Sequence, residues 1–163
     1  MERLWTPWRR AFIESASGNG SDGCFLCAKA AEHDDRANLI LWRAESAYAL
    51  LNLYPYNSGH LLVAPYRHTG DLGTLDAAIA HEMMGMTQRC IQTLQQVYHP
   101  DGFNVGMNLG RAAGAGVPDH LHMHIVPRWG GDTNFMPIVG ETKVLPESLD
   151  ETYERLEPYF RRP

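Results

Sequence analysis

The stretch His120-Leu121-His122-Met123-His124-Ile125-Val126 has a histidine at every second position, and Pro127 and Arg128 follow it. A β-strand has a period of two residues, so this spacing predicts three imidazoles on one face of a sheet. A histidine-rich surface strand, or two neighbouring histidines sharing a zinc ion, would have the same spacing. One ion bound by all three is awkward, because His120 and His124 would lie about 13 Å apart along a strand. We therefore predict a division of labour between a nucleophilic histidine and binding or orienting ones.

A glycine-rich segment leads directly into these histidines. Asn108 is followed by Gly110, Gly114 and Gly116, so three glycines fall within seven residues. Glycines let backbone N–H groups turn toward an anion, and small side chains let a phosphate approach the main chain. A plain hairpin connection would look similar on its own. Followed by the histidines, the segment predicts a phosphate held beside an imidazole nucleophile.

Composition and charge narrow the class of protein. The chain has 163 residues, 44% hydrophobic and 20% charged, which fits one globular domain with a real core. A net charge of −5 without a long basic run does not favour a nucleic-acid partner. Neither a membrane-spanning apolar run nor the apolar region of a signal peptide is recognisable, so we expect a cytoplasmic protein without a membrane partner. Three cysteines, two of them close together, argue against a disulfide framework.

Hydrophobic periodicity predicts an α+β fold, with an antiparallel sheet of about five strands, one long central helix and a C-terminal helix. We expect an N-terminal arm and flexible loop over residues 1–23 and a single domain over residues 24–163. Thr74 is the predicted N-cap of the long helix, and the stripe of methionines with Cys90 is predicted to be core. The predicted strands are 39–42, 47–52, 60–65, 103–109 and 120–127, and the predicted helices are 75–98 and 147–159.

The histidine pattern resembles the histidine triad (HIT) superfamily of nucleotide hydrolases and transferases, whose motif is His-x-His-x-His followed by two apolar residues. A second match runs from Leu51 to His68, and together the matches cover roughly residues 38 to 128. The segments 127–135 and 4–9 are similar to the branch that contains the diadenosine tetraphosphate phosphorylases. The resemblance implies a HIT-like fold and a homodimer.

The resemblance also implies roles for three histidines. His122, the middle one of the triad, would be the nucleophile that forms a nucleotidyl-histidine intermediate. This is sensible chemistry, because a neutral imidazole can attack phosphorus and split one hard displacement into two easier ones. His124 would contact phosphate oxygens or the leaving group, with a structural hydrogen bond as the alternative. His60, in the pattern Gly-His-x-x-x-x-Pro, would support the active-site network.

Nucleotide contacts follow from the same resemblance. Asn52 would bind the ribose hydroxyls, although an Asn at a strand end is often only a turn residue, and Asn108 would hold the α-phosphate. Well-known family members carry Gln-Ser/Thr-Val-x before the first triad histidine. This chain instead has one residue more and no hydroxyl or amide there, so the proton source for the leaving group is open. Backbone N–H groups are predicted to contact the phosphate in its place; these are at Gly114, Ala115, Gly116 and Val117.

Cys24 and Cys27 have the two-residue spacing that suits one tetrahedral ion. A redox-active dithiol or a reduced pair in the core would have the same spacing, although the strand–helix context of a thioredoxin motif is absent. The resemblance implies that His68 and His120 complete a structural zinc site with the two cysteines.

The leading hypothesis is an enzyme that cleaves a dinucleoside polyphosphate, such as diadenosine tetraphosphate, at the α-phosphate. With inorganic phosphate as acceptor it would be a phosphorylase, which residues 129–135 favour, and with water a hydrolase. One alternative is a nucleotide-binding signalling or scaffold protein with vestigial catalysis. Another is a hydrolase of adenylyl phosphoramidates or related conjugates. Nucleotidyl transfer to a sugar phosphate is disfavoured, because those relatives carry Gln where this chain has His124.

Overall fold

The computed structural model describes residues 23–132 and 145–161 of the chain. In these residues five antiparallel strands form one sheet with the order β1-β2-β3-β5-β4. The strands are β1 (Ile40–Arg43), β2 (Ala47–Leu51), β3 (Leu61–Pro65), β4 (Gly102–Gly106) and β5 (Met123–Arg128), and the helices are α1 (Phe25–Ala31), α2 (Ala77–Tyr98) and α3 (Leu149–Phe160). The predicted α+β architecture is confirmed. None of the described helices is long and apolar enough to cross a membrane.

One face of the sheet packs against α2 and α3. The predicted stripe on α2 is buried there and includes Met83, Met86 and Cys90. On α3 the buried hydroxyl of Tyr153 donates a hydrogen bond to the carbonyl oxygen of Ile40 in β1. These helices fill one face with apolar side chains, which leaves the polar chemistry to the opposite face.

The opposite face carries α1 and the histidines. Leu26 of α1 is buried with Tyr48 and Leu62, and the Tyr48 hydroxyl donates to the Leu26 carbonyl oxygen at 2.8 Å. His124 pairs with Leu62 across β3 and β5, so its side chain points to this same face. Helix α1 was not predicted, because it has seven residues and no side-chain N-cap. The position of α1 is therefore set by its packing on the sheet and not by a signal in its own sequence.

The predicted start of the long helix is wrong by two residues. Helix α2 begins at Ala77, and its N-cap is Asp76, whose carboxylate accepts a hydrogen bond from the Ala78 N–H at 2.7 Å. Thr74 instead ends a short 3₁₀ turn, where its hydroxyl bonds Asp71. The Asp76 carboxylate accepts a hydrogen bond from an N–H group of the first turn, and the positive end of the helix dipole stabilises its negative charge. These two effects explain why Asp76 is the N-cap.

The prediction that the three histidines lie on one strand is wrong, although His120 remains on the same side of the sheet as α1 and His124. Strand β5 begins at Met123, so His120 precedes it in a turn. The Leu121 N–H donates to the Thr69 carbonyl oxygen at 2.7 Å instead of joining the sheet ladder, and this turns His120 toward α1. Other predicted ends also shift, since β4 stops at Gly106 and α3 begins at Leu149. The predicted arm, apart from residue 23, and residues 133–135 lie outside the described residues.

Candidate active site and metal centre

His122 is buried at the start of β5, with 6% of its surface exposed. Its Nδ1–H donates to the carbonyl oxygen of His120 at 2.8 Å. This hydrogen bond places the proton on Nδ1, so Nε2 keeps its lone pair. Burial lowers the pKa of His122, which favours the neutral ring. The tautomer and the protonation state are those that a nucleophilic nitrogen requires.

His60 and His124 form a second hydrogen-bonded pair beside the first. The Tyr56 N–H donates to Nδ1 of His60 at 3.1 Å, so His60 carries its proton on Nε2. That Nε2–H donates to Nδ1 of His124 at 3.0 Å, which in turn places the His124 proton on its Nε2. The rings of His122 and His124 are 4.8 Å apart. Two neighbouring rings therefore carry a bare Nε2 on His122 and an Nε2–H on His124.

The two asparagines that are predicted to contact the nucleotide lie in different parts of the site. The Asn52 side-chain oxygen accepts from the Tyr54 N–H at 3.0 Å, and its amide nitrogen lies 3.3 Å from Nδ1 of His60. The turn-residue alternative for Asn52 therefore has direct support, and its ribose role remains a prediction. Asn108 lines a cleft together with His124, whose ring centroid lies 4.8 Å from that of His122.

The glycine-rich loop folds as a tight turn around residues 111–113. Gly110 and Gly114 have φ of 77° and 81°, a left-handed backbone that favours glycine. The N–H groups of Gly114 and Ala115 already donate to carbonyl oxygens inside the loop, at 3.0 and 3.3 Å. In the described part of the chain no partner is found for the N–H groups of Gly116 and Val117. The phosphate contact by the four residues remains a prediction, and the N–H groups of Gly116 and Val117 are the two that no described acceptor occupies.

The four predicted metal ligands come together on the same face of the sheet. The ligand atoms of Cys24, Cys27, His68 and His120 lie within 4.8 Å of one another. Nδ1 of His120 is 3.2 Å from the Cys24 sulfur, 3.4 Å from the Cys27 sulfur and 3.3 Å from Nδ1 of His68. A tetrahedral zinc ion would separate two nitrogens by about 3.4 Å and a sulfur and a nitrogen by about 3.6 Å. The donor set and its spacing thus fit zinc.

Protonation of the cluster also suits a cation. Nε2–H of His120 donates to the Pro65 carbonyl oxygen at 2.8 Å, so the lone pair on Nδ1 faces the sulfurs. Burial lowers the pKa of His120 to about 4, which keeps the ring neutral. Burial and the neighbouring Cys24 raise the pKa of the Cys27 thiol to about 11. The Cys27 thiolate would therefore be stable only beside a positive charge, which a metal ion would supply.

His120 joins the cluster of candidate metal ligands to His122. Its imidazole faces Cys24 and Cys27, while its main-chain carbonyl oxygen holds the Nδ1–H of His122. Sequence analysis missed the backbone groups that fix these rings, namely the carbonyls of Pro65 and His120 and the N–H of Tyr56. Main-chain atoms carry no residue signature, so only the fold identifies them.

Gly70 lies where the segment carrying His68 crosses the turn before His120. A Cβ at this position would be 2.3 Å from the Pro118 carbonyl oxygen. We expect Gly70→Ala to lower the free energy of unfolding by about 1–3 kcal/mol, because backbone must move to relieve the clash. Urea unfolding measures this change. Gly85→Ala is the matched control, since no atom lies within 4 Å of its Cβ in α2; equal stability of the two variants would contradict the prediction.

Comparison with known proteins identifies relatives of this chain. The family model described as HIT domain matches residues 35–131. An AP-4-A phosphorylase from Mycobacterium tuberculosis (strain ATCC 25618 / H37Rv) is 40% identical over 167 residues, which cover 99% of this chain and 86% of that protein. A bis(5'-adenosyl)-triphosphatase from Saccharomyces cerevisiae (strain YJM789) is 34% identical over 91 residues, covering 55% of this chain and 44% of that protein.

A solved structure is also similar to this chain. The crystal structure of a Zn-bound histidine triad family protein from Mycobacterium smegmatis has a TM-score of 0.66 and 26% identity, and the match covers 86% of this chain and 95% of that one. The family-model match spans more than half of this chain and includes His60 and all three histidines of the triad. The resemblance and the HIT-like fold predicted from the histidine motif are thus confirmed: the chain belongs to the histidine triad, or HIT, family.

Proposed function

We propose that this protein is an enzyme that cleaves dinucleoside polyphosphates, such as diadenosine tetraphosphate, at the α-phosphate. The observation that carries the proposal is the buried His122, whose Nδ1–H is held by the His120 carbonyl so that Nε2 keeps a lone pair. The substrate class is supported by the M. tuberculosis relative named AP-4-A phosphorylase, to which nearly the whole chain aligns.

In the first step, Nε2 of His122 attacks the α-phosphorus. The bond between phosphorus and the bridging oxygen breaks, and its electron pair leaves with the second nucleotide. The Nδ1–H of His122 stays bonded to the His120 carbonyl, which stabilises the positive charge of the nucleotidyl-histidine ring. The Nε2–H of His124 stabilises the negative charge that develops on the departing oxygen.

The nature of the leaving group favours a polyphosphate. Neutral His124 offers a hydrogen bond, but it is a poor acid because losing Nε2–H would leave an imidazolate. A terminal phosphate has a pKa near ~6 and can depart as an anion without a proton. An amine released from a phosphoramidate would need that proton, and this chain lacks the hydroxyl that well-known family members carry near the triad.

The second step favours phosphate over water as acceptor for the same reason. A phosphate dianion attacks the nucleotidyl-histidine with an oxygen that carries no proton. The P–Nε2 bond breaks, its electrons return to His122, and a nucleoside diphosphate is released. Water would have to lose a proton, and His124 presents Nε2–H rather than a base. The yeast relative named bis(5'-adenosyl)-triphosphatase keeps hydrolysis as the second candidate.

Product analysis separates the two candidates. Diadenosine tetraphosphate is incubated with the protein, with and without inorganic phosphate, and nucleotides are resolved by chromatography. We expect ADP and ATP in the presence of phosphate, with turnover reduced by at least about tenfold in its absence. AMP and ATP in equal amounts under both conditions would establish a hydrolase. Binding of the substrate without any turnover would favour the nucleotide-binding scaffold.

We also propose that zinc is the ion held by Cys24, Cys27, His68 and His120, and that it stabilises the fold without entering the reaction. The donor atoms and their mutual distances support this assignment. A site that needs two reduced cysteines suits a reducing compartment, which supports the cytoplasm as the proposed location.

A homodimer is proposed as the assembly, with β4 at its centre. Among the described strands β4 pairs only with β5, so its other edge is open, and Val105 on it is 44% exposed. We expect the wild-type protein to sediment as a dimer and Val105→Lys as a monomer, because a charge at a strand edge opposes pairing. Val105→Thr, which keeps the shape, should remain dimeric. A monomeric wild-type protein in sedimentation velocity would contradict the proposal.

A further inference from the structure

A cleft of about 480 Å³ lies over the paired strands β4 and β5 and is lined by His124. Because side chains alternate along a strand, His124, Val126 and Arg128 of β5 face the same side of the sheet. Asn104 of β4 pairs with Val126, and both line the cleft with His124 and Arg128. Arg128 is the only lining residue of this cleft, in the described part of the chain, with a permanent positive charge.

The guanidinium of Arg128 is held rigidly. Its Nε and one terminal nitrogen donate to the two carboxylate oxygens of Asp132 at 2.6 and 2.9 Å, and its other terminal nitrogen donates to the Asn104 side-chain oxygen at 2.6 Å. A guanidinium has five N–H donors, so these contacts use three of them. The side chain is 43% exposed. A fixed, half-exposed fork is suited to binding phosphate oxygens.

Asp132 is also held by groups other than Arg128. Its carboxylate accepts from the Asn57 amide at 2.7 Å and from the Trp129 N–H at 3.2 Å. The carboxylate therefore does not depend on Arg128 alone, and two of the five N–H groups of Arg128 remain to donate to an anion in the cleft.

The cleft extends along β5 away from His122. Displacement at phosphorus is in line, so the leaving oxygen departs on the side opposite to Nε2 of His122. His122 immediately precedes β5, His124 lies near the start of the strand and Arg128 at its end, and the Cα atoms of the last two are separated by about 13 Å. The long arginine side chain shortens the gap to the chain of phosphates that extends beyond the α-phosphate.

We propose that Arg128 and Asn104 form a subsite for the distal phosphates of the leaving nucleotide and thereby set a preference for long polyphosphate chains. The subsite rests on the proposed function for its physiological ligand. Its recognition of a polyphosphate anion, however, can be measured without turnover.

Calorimetry on AMP-saturated protein tests the subsite with inorganic tripolyphosphate as the probe. AMP occupies the α-phosphate position, so tripolyphosphate reports on the cleft beyond it. We expect Arg128→Met to weaken tripolyphosphate binding at least about tenfold, the effect of one lost charge-assisted hydrogen bond, and to change AMP affinity less than about twofold. Arg36→Met is the control, because Arg36 forms an exposed ion pair with Glu154 on α3.

A second variant distinguishes loss of the subsite from misfolding of Arg128→Met. Asn104→Asp keeps an oxygen that accepts from Arg128 but adds a negative charge to the cleft, so it should also weaken tripolyphosphate binding selectively. Equal loss of AMP and tripolyphosphate affinity in both variants, or affinities equal to those of Arg36→Met, would overturn the subsite. Absence of tripolyphosphate binding to the wild-type protein would overturn it as well.

The outcomes distinguish the subsite from the proposed function. If Arg128 governs tripolyphosphate binding but diadenosine tetraphosphate is not cleaved, the subsite stands and the proposed function fails. If the substrate is cleaved while tripolyphosphate binding does not depend on Arg128, the proposed function stands and the subsite fails.

Discussion

Replacing His122 with alanine is expected to slow cleavage of diadenosine tetraphosphate by ~10⁴-fold or more, because the variant has no nitrogen at the attacking position. The buried ring makes no other described side-chain hydrogen bond than the one from Nδ1 to the His120 carbonyl. Its removal should therefore leave the network of His60 and His124 in place. The rate of cleavage is measured at saturating phosphate as the rate of ATP release, which chromatography detects.

The covalent intermediate gives a second readout for the same variant. Substrate labelled at the α-phosphorus should attach an acid-labile label to the wild-type protein during turnover and none to His122→Ala. His81→Ala, which removes an exposed histidine of α2, serves as the control and should keep full activity and labelling. Labelling of His122→Ala at the wild-type level would show that another residue is the nucleophile.

The chemistry of this site was predictable because it depends on residue types at fixed spacing. The alternating histidines identified the family, and the same motif led by resemblance to Cys24, Cys27 and His68, which the fold brings within reach of His120. The periodic stripe on α2 identified the core in the same way. In each case the side chains themselves carry the signal.

Main-chain interactions decided what the sequence could not predict. His120 leaves the strand because the neighbouring Leu121 N–H finds the carbonyl oxygen of Thr69, a contact between distant segments. The protons of His60 and His122 are placed by the Tyr56 N–H and the His120 carbonyl. Such bonds depend on tertiary position, and no pattern of residue types encodes them. The error about His120 therefore came from extending the two-residue period to residues that precede the start of β5 at Met123.

The Arg128–Asp132 pair was only partly predictable from the sequence. A basic and an acidic residue four positions apart were visible in the segment 127–135, yet the spacing alone is also common in solvated turns and helices. Only the fold shows that Asn104 of a neighbouring strand completes the arrangement and that a cleft opens beside it. The sequence thus shows the two charged residues, and the fold shows the contact with Asn104 on which the proposed subsite rests.

Replacing Cys24 with serine is expected to remove the metal ion and to lower the free energy of unfolding by at least about 3 kcal/mol. A ligand that binds only the folded state contributes about 4 kcal/mol when its concentration is a thousand times its Kd. The cluster also joins α1 to the turns that carry His68 and His120, so its loss removes a link between distant segments. Metal content by mass spectrometry and unfolding in urea measure the two effects.

The same substitution should disturb the nucleophile, because His120 serves both sites. In the wild-type protein ¹⁵N spectra should show His122 with its proton on Nδ1, held by the carbonyl of His120. Without the metal His120 is held through fewer atoms, so we expect a mixture of His122 tautomers and a lower kcat. Cys90→Ala removes another buried thiol, far from the cluster in α2, and should keep both the metal and the single tautomer. If Cys24→Ser loses its metal but retains the wild-type stability and His122 spectrum, the cluster does not position the nucleophile, and the link through His120 has no functional consequence.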